Sequence, residues 1–235
     1  PGRKPILSCR GDTGNRRRLS CKEVLKLSIM DHPQANYFSK TRVEAFSDGI
    51  FAIIVTLLVL EISVPEIKDH QSGEALAKAL LQLLPKVLSW IVSFLIVCVI
   101  WVNHHRIMQQ LKIITHGLFW LNANLLLWCS FIPFPTALMG DYVNNPVALI
   151  VFGVVLALMA FSFSLIRMNA LKNRFVLNDN IDITHYKKAT KASILFGPLL
   201  YLCGAALSLV HTYLGFCVYA FIPVYFIFYN SAKTR

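Results

Sequence analysis

The stretch RVEAFSDGIFAIIVTLLVLEI, Arg42 to Ile62, decides how the rest of the chain is read. It opens polar and turns apolar, and between Phe46 and Leu60 it carries one charge, the carboxylate of Asp48. Such a run makes a helix of roughly 25 Å in hydrocarbon, long enough to span a bilayer core. A carboxylate one turn inside that helix costs about 2.5 to 3.5 kcal/mol on insertion scales. Asp48 is therefore expected to face partners in a helix bundle and not lipid.

Further along, Ile53, Thr56, Leu57 and Leu60 fall at i, i+3, i+4 and i+7 and share one stripe. Asp48 lies about 140° around the helix from Ile53. One face thus carries a polar anchor, and another a mostly apolar stripe with one hydroxyl. Spacing leaves two readings of the stripe open: ordinary packing against a neighbouring helix, or the lining of an ion path.

Working outward, 56% hydrophobic content over 235 residues and a mean hydropathy of +0.57 exclude a single soluble domain and imply an integral membrane protein. The net charge of +11 is not a nucleic-acid footprint. Its Lys and Arg residues alternate with the hydrophobic runs, which is the pattern of membrane topology. Cys9, Cys21, Cys98, Cys129, Cys203 and Cys217 show no C-x-x-C spacing, and the last four sit inside apolar segments. Neither a zinc site nor a disulfide framework follows, and no cofactor is expected.

Residues 1–41 hold nine Lys or Arg and no sustained apolar period. They read as a basic cytoplasmic N-terminal arm without a secretory signal, in which CKEVLKLSIM (21–30) forms a short surface helix. The arm either stays solvated or touches anionic lipid. A six-helix transmembrane domain is expected over 42–230, with spans at about 43–62, 87–106, 118–138, 147–166, 192–210 and 213–228, and a short cytoplasmic tail at 231–235. Residues 74–84 are amphipathic, and Pro85 either kinks a continuous helix or starts a new one. Pro133 and Pro135 bend or end the third span. Twenty of the Lys and Arg fall on one side of this scheme and only Lys68, Lys78 and Lys86 on the other, so both termini are expected in the cytoplasm, with residues 167–191 inside.

A second polar cluster, WVNHHR from Trp101 to Arg106, ends the second span. Adjacent histidines on a helix point about 100° apart and no third ligand is suitably spaced, so His104 and His105 do not read as a metal site. One of them is expected to hydrogen-bond the end of the first helix that carries Arg42 and Asp48. Arg106 either joins that group or is a plain inside charge. No G-x-S-x-G, H-E-x-x-H or P-loop occurs, so nothing points to an enzyme. The filter sequence TVGYG is absent, so any ion selectivity must come from side chains.

The string Arg42-x-x-x-Phe46-Ser47-Asp48, with WVNHHR closing the next span, resembles the RxxxFSD signature of the endolysosomal potassium-channel family, the transmembrane protein one-seven-five family. Vertebrate members carry two six-helix repeats. One hydrophobic set here resembles the prokaryotic form, which assembles as a homotetramer, and implies a prokaryotic plasma membrane. The resemblance implies an all-α fold with six transmembrane helices per chain and a pore lined by the first helices of a symmetric tetramer. It also implies a network linking Arg42, Phe46, Ser47 and Asp48 to Trp101, Asn103, His104 and His105, with His105 favoured over His104. Ile53 maps to the narrowest pore ring, Thr56 to a threonine one turn on, and Leu57 and Leu60 extend the lining. Ala52 stands where the vertebrate repeat often has serine, which removes one hydroxyl.

The function expected is a passive cation channel with potassium preference, whose partners are potassium and other monovalent cations, membrane lipid and further copies of the chain, with no nucleic acid. The alternative is a proton-coupled or cation-exchanging transporter, since Asp48 and the histidines are titratable groups in a membrane. Against it stands the lack of a clear internal repeat.

Overall fold

The computed structural model describes residues 37–69 and 71–233, with side chains up to residue 228. Most of the arm expected over 1–41, including its 21–30 helix, and the end of the 231–235 tail lie outside the described residues. The order is β1 (Tyr37–Phe38), α1 (Lys40–Leu57) running into a 3-10 turn (Leu58–Glu61), α2 (Gly73–Gln82), α3 (Leu84–Gln110), β2 (Ile114–Thr115), α4 (His116–Ser130), α5 (Pro133–Asp141), α6 (Pro146–Lys172), a 3-10 turn (Arg174–Val176), α7 (Ile183–Val210) and α8 (Thr212–Lys233). Among the described residues the fold is helical apart from one two-residue antiparallel pair, Tyr37 with Thr115 and Phe38 with Ile114, and an isolated antiparallel bridge between Leu111 and Leu177.

The local chemistry explains most boundaries. Thr115, Asn145 and Asp182 each occupy an N-cap, their side-chain oxygens accepting from Leu118 N, Val147 N and Thr184 N, which satisfies donors left over at a helix start. Pro85 sits in the first turn of α3, where a missing N–H costs nothing. It starts a helix. Pro133 likewise opens α5, dividing the expected third span at Phe131 and Ile132. The basic stretch 183–191 is the first part of α7, continuous with the expected fifth span.

Five helical segments among the described residues are long and apolar enough to cross a membrane: Lys40–Glu61, Leu84–Gln110, His116–Asp141, Pro146–Lys172 and Ile183–Val210. The sixth expected span corresponds to a shorter apolar helix, Thr212–Phe228, within α8.

In hydrocarbon, helices associate through close packing and interhelical hydrogen bonds, not through water exclusion. Both occur here. Thr136 on α5 donates to Ser93 on α3 at 2.7 Å, and Asn124 on α4 to Ser162 on α6 at 2.7 Å. Tyr219 of α8 is fully buried and donates to the Leu149 carbonyl of α6 at 3.0 Å. A Cβ at Gly153 would collide with that phenol, so this glycine permits the approach of α8. α6 is the most enclosed span, packed by α4, α5, α7 and α8, while α1 leans on α3 and α4 along one face.

Candidate functional site

The two faces of α1 differ sharply. Val43, Ser47, Phe51, Ile54 and Leu58 are buried, a stripe at helical spacing. Ile53, Leu57 and Leu60 are 59%, 41% and 70% exposed, and Thr56 is exposed beside them. Packing among the described residues therefore does not account for the Ile53 stripe. The Thr56 hydroxyl donates to the carbonyls of Ile53 (2.8 Å) and Ala52 (3.2 Å). With its hydrogen turned to the backbone, its lone pairs remain available on the exposed side.

At the signature end of α1, two hydrogen-bonded groups lie side by side. The inner one joins three helices. Asn122 of α4 donates from Nδ2 to Ser47 Oγ at 2.9 Å, and its Oδ1 lies 2.8 Å from His104 Nε2 on α3. Ser47 in turn donates to the Val43 carbonyl at 2.9 Å. An amide oxygen only accepts, so this assignment puts the His104 proton on Nε2. Ser47, Asn122 and His104 are 0%, 1% and 2% exposed, so every one of these groups needs the partner it has. Phe51 covers the histidine, ring centroids 5.4 Å apart.

The outer group joins α1 to α3 alone. Trp101 Nε1 donates to Asp48 Oδ1 at 2.8 Å. The Trp101 indole stacks on His105 at 5.7 Å, and Gln109 Nε2 donates to His105 Nε2 at 2.9 Å. Asp48, Trp101 and His105 are all exposed in the single chain.

The structure thus joins Asp48 with Trp101 and His105, and Ser47 with His104. It does not join the remainder. Among the described residues no hydrogen bond or ion pair links Arg42 to Asp48, Trp101 or either histidine. Arg42 and the 53% exposed Phe46 border a shallow pocket with Tyr37, Phe38 and Phe119. Asn103 points into a separate cleft bounded by α6, α7 and α8. Asn122 was missed from sequence. Its signal was available: an amide inside the apolar run FWLNANLLLW (119–128) has to be partnered. Among the described residues no group of three His, Cys, Asp or Glu side chains is placed to hold a metal ion.

Comparison with known proteins follows the same residues. The family model for the endosomal/lysosomal potassium channel TMEM175 matches residues 42–133, from the start of the signature to the opening of α5. A potassium channel of Chamaesiphon minutus is 38% identical over 194 residues, covering 81% of this chain and 95% of that protein. The crystal structure of a lysosomal potassium-selective channel TMEM175 homolog from that organism superposes with a TM-score of 0.70 at 37% identity, covering 80% of this chain and 96% of the other. A Danio rerio relative, an endosomal/lysosomal proton channel TMEM175, is 26% identical over 78% of this chain, which spans 36% of that longer protein. With its multi-pass set of apolar helices, and with Ser47 and Asp48 of the RxxxFSD string built into contacts of α1 with α4 and α3, this integral membrane protein belongs to the TMEM175 family, a family of ion channels and not of enzymes.

Proposed function

We propose that the chain is one subunit of a passive cation channel with potassium preference, in which four copies bring α1 to a common axis. The observation that carries this reading is the unpartnered stripe of Ile53, Thr56, Leu57 and Leu60 on a helix whose other face is packed. One helix cannot enclose a path. Cyclic copies can, because symmetry delivers the same stripe from each subunit to the centre. Potassium-channel relatives at the sequence and structural level support the choice of ion.

In this arrangement Ile53 forms the narrowest ring, which has no group to replace lost hydration and gates by dewetting. Thr56 offers hydroxyl lone pairs to a partly dehydrated cation one turn on, and Leu57 and Leu60 extend the apolar lining. Ser47 with His104, and Asp48 with Trp101 and His105, hold the entry of α1 in place, Arg42 and Phe46 lie beside it, and Asn103 turns to the separate cleft. The helix over Thr212–Phe228 completes six spans, both termini face the cytoplasm, and the arm and tail flank the transmembrane domain in a prokaryotic plasma membrane. Thiol labelling checks the orientation: an impermeant reagent applied outside labels a cysteine placed at Asn144 and spares one at Asn173, and the reverse result overturns it.

Purified protein in liposomes, with reversal potentials read under potassium, sodium and pH gradients in turn, tests the channel. Potassium should dominate without obligatory proton movement. The runner-up, a proton-coupled or cation-exchanging transporter, is favoured by the exposed titratable pair Asp48 and His105, and would show potassium flux tied to the pH gradient. Ile53→Asn should give larger and less selective currents from an intact oligomer. Unchanged conductance and selectivity in that variant would place the path elsewhere.

A further inference from the structure

A cleft of about 1430 Å3 lies between α3, α6, α7 and α8, away from the Ile53 stripe. This exceeds the roughly 300–1,000 Å3 of ordinary small-molecule sites. Its body is apolar, with Phe163, Phe196, Leu200 and Phe221 among the lining residues. Its polar end gathers Gln110, Arg106, Arg167, His185, Tyr186 and Asp182, the single carboxylate among the described lining residues. Asp182 is engaged as the N-cap of α7, accepting from Thr184 N at 2.8 Å.

Arg167 is the centre of that polar end. Its Nε donates to Thr190 Oγ1 at 3.3 Å and its guanidinium lies 4.6 Å over the Tyr186 ring. Among the described residues it has no carboxylate within ion-pairing distance. A half-buried cation in an apolar span without a counter-ion is costly. Two further groups nearby are incomplete. Tyr186 is 2% exposed, and neither its hydroxyl nor Gln110 Oε1 has a hydrogen-bond partner among the described residues. One orphan is a donor, the other an acceptor.

We propose that this cleft binds an anionic glycerophospholipid from the leaflet that the charge bias assigns to the cytoplasm, the head group at Arg167 and Tyr186 and the acyl chains along the α7 and α8 side. A phosphate supplies the missing counter-ion to Arg167 and accepts from the Tyr186 hydroxyl. A head-group hydroxyl, as in phosphatidylglycerol, donates to Gln110 Oε1. Phosphatidylcholine has the tails and the phosphate, but it is zwitterionic and has no hydroxyl to give. Basic pockets between spans on the cytoplasmic side are a recurring way of holding acidic lipid heads. The proposal goes beyond the channel reading and uses none of its residues, so failure of either leaves the other standing.

Native mass spectrometry of the full chain in detergent, titrated with dioleoyl-phosphatidylglycerol or dioleoyl-phosphatidylcholine, tests it. The expected result is one retained phosphatidylglycerol per chain, with a preference of roughly tenfold over phosphatidylcholine. Arg167→Gln should remove that preference while leaving the melting temperature and oligomer as they are. Tyr186→Phe should weaken it less. Should Arg167→Gln fail to fold, Ala192→Trp fills the cleft from α7 and should exclude both lipids. Equal retention of the two lipids, retention of phosphatidylglycerol undiminished by Ala192→Trp, or its displacement by inorganic phosphate alone would each overturn the proposal. So would an Ala192→Trp protein that loses its oligomer and keeps its lipid, because the cleft would then be a face between copies.

Discussion

Ser47 and Asp48 are neighbours in sequence, as are His104 and His105, yet each pair is split between two environments. Ser47 and His104 meet through Asn122 in a buried group. Asp48 and His105 meet across Trp101 on an exposed surface. The cause is elementary: consecutive helical residues point about 100° apart, so on each helix one member of the pair turns inward and the other outward. In the inner group Ser47 Oγ, both polar atoms of the Asn122 amide and His104 Nε2 have partners on this chain. The outer group is open. An ionised carboxylate has about four acceptor sites, and Asp48 has one donor, Trp101, among the described residues. The inner group holds the chain's own fold, and the outer one is left for whatever lies against that face.

The largest effect should come from the inner group. Asn122→Leu would orphan buried His104 Nε2, at about 1–3 kcal/mol, and would strip Ser47 of its incoming donor while leaving its bond to the Val43 carbonyl, so it should lower the melting temperature of the reconstituted protein by many degrees or prevent expression. A variant that expresses and melts like the parent would break the contrast. Asp48→Ala should come next and fail differently: the chain keeps its helicity but loses assembled oligomer on size exclusion, before ion preference changes. A stable tetramer with altered pH dependence would instead move Asp48 from assembly to transport. His105→Gln should matter least. The ring is exposed and its neighbours are its own helix, so stability should shift by no more than about 0.5 kcal/mol, and reversal potentials should match the parent's. A large loss there would show that His105 is closed over in the assembly.

How much of this was legible in the sequence depended on the range of the signal. The membrane class, the helices and the faces of α1 follow from local periodicity, and the division of Ile53 from Phe51 is written in spacing alone. Pro85 was ambiguous because proline interrupts a helix and also suits its first turn, and only the position of α2 decides. Charge marked 167–191 as an inside segment ahead of the fifth span, and Lys187, Lys188 and Lys191 of that segment ride on α7. The preference for His105 over His104 came from resemblance, whereas burial of His104 depends on where α4 passes. The pairing of Tyr37 and Phe38 with Thr115 and Ile114 left no trace, since two residues carry no period and their partners lie 78 and 76 positions away.

That small pairing has a mechanical consequence. Just before α1 the chain is clamped by β1 to β2, and Lys40 Nζ donates to the Leu111 carbonyl at 2.7 Å. Just after α1, Leu58 is wholly enclosed and its turn rests on α3 and α5. A rod gripped at both ends does not roll about its long axis without tearing one grip loose. It bows. Adjustments of α1 are thereby confined to side-chain torsions and to flexure, and flexure of a span fixed at its ends is greatest midway, at Gly49, where a Cβ would meet nothing within 4 Å.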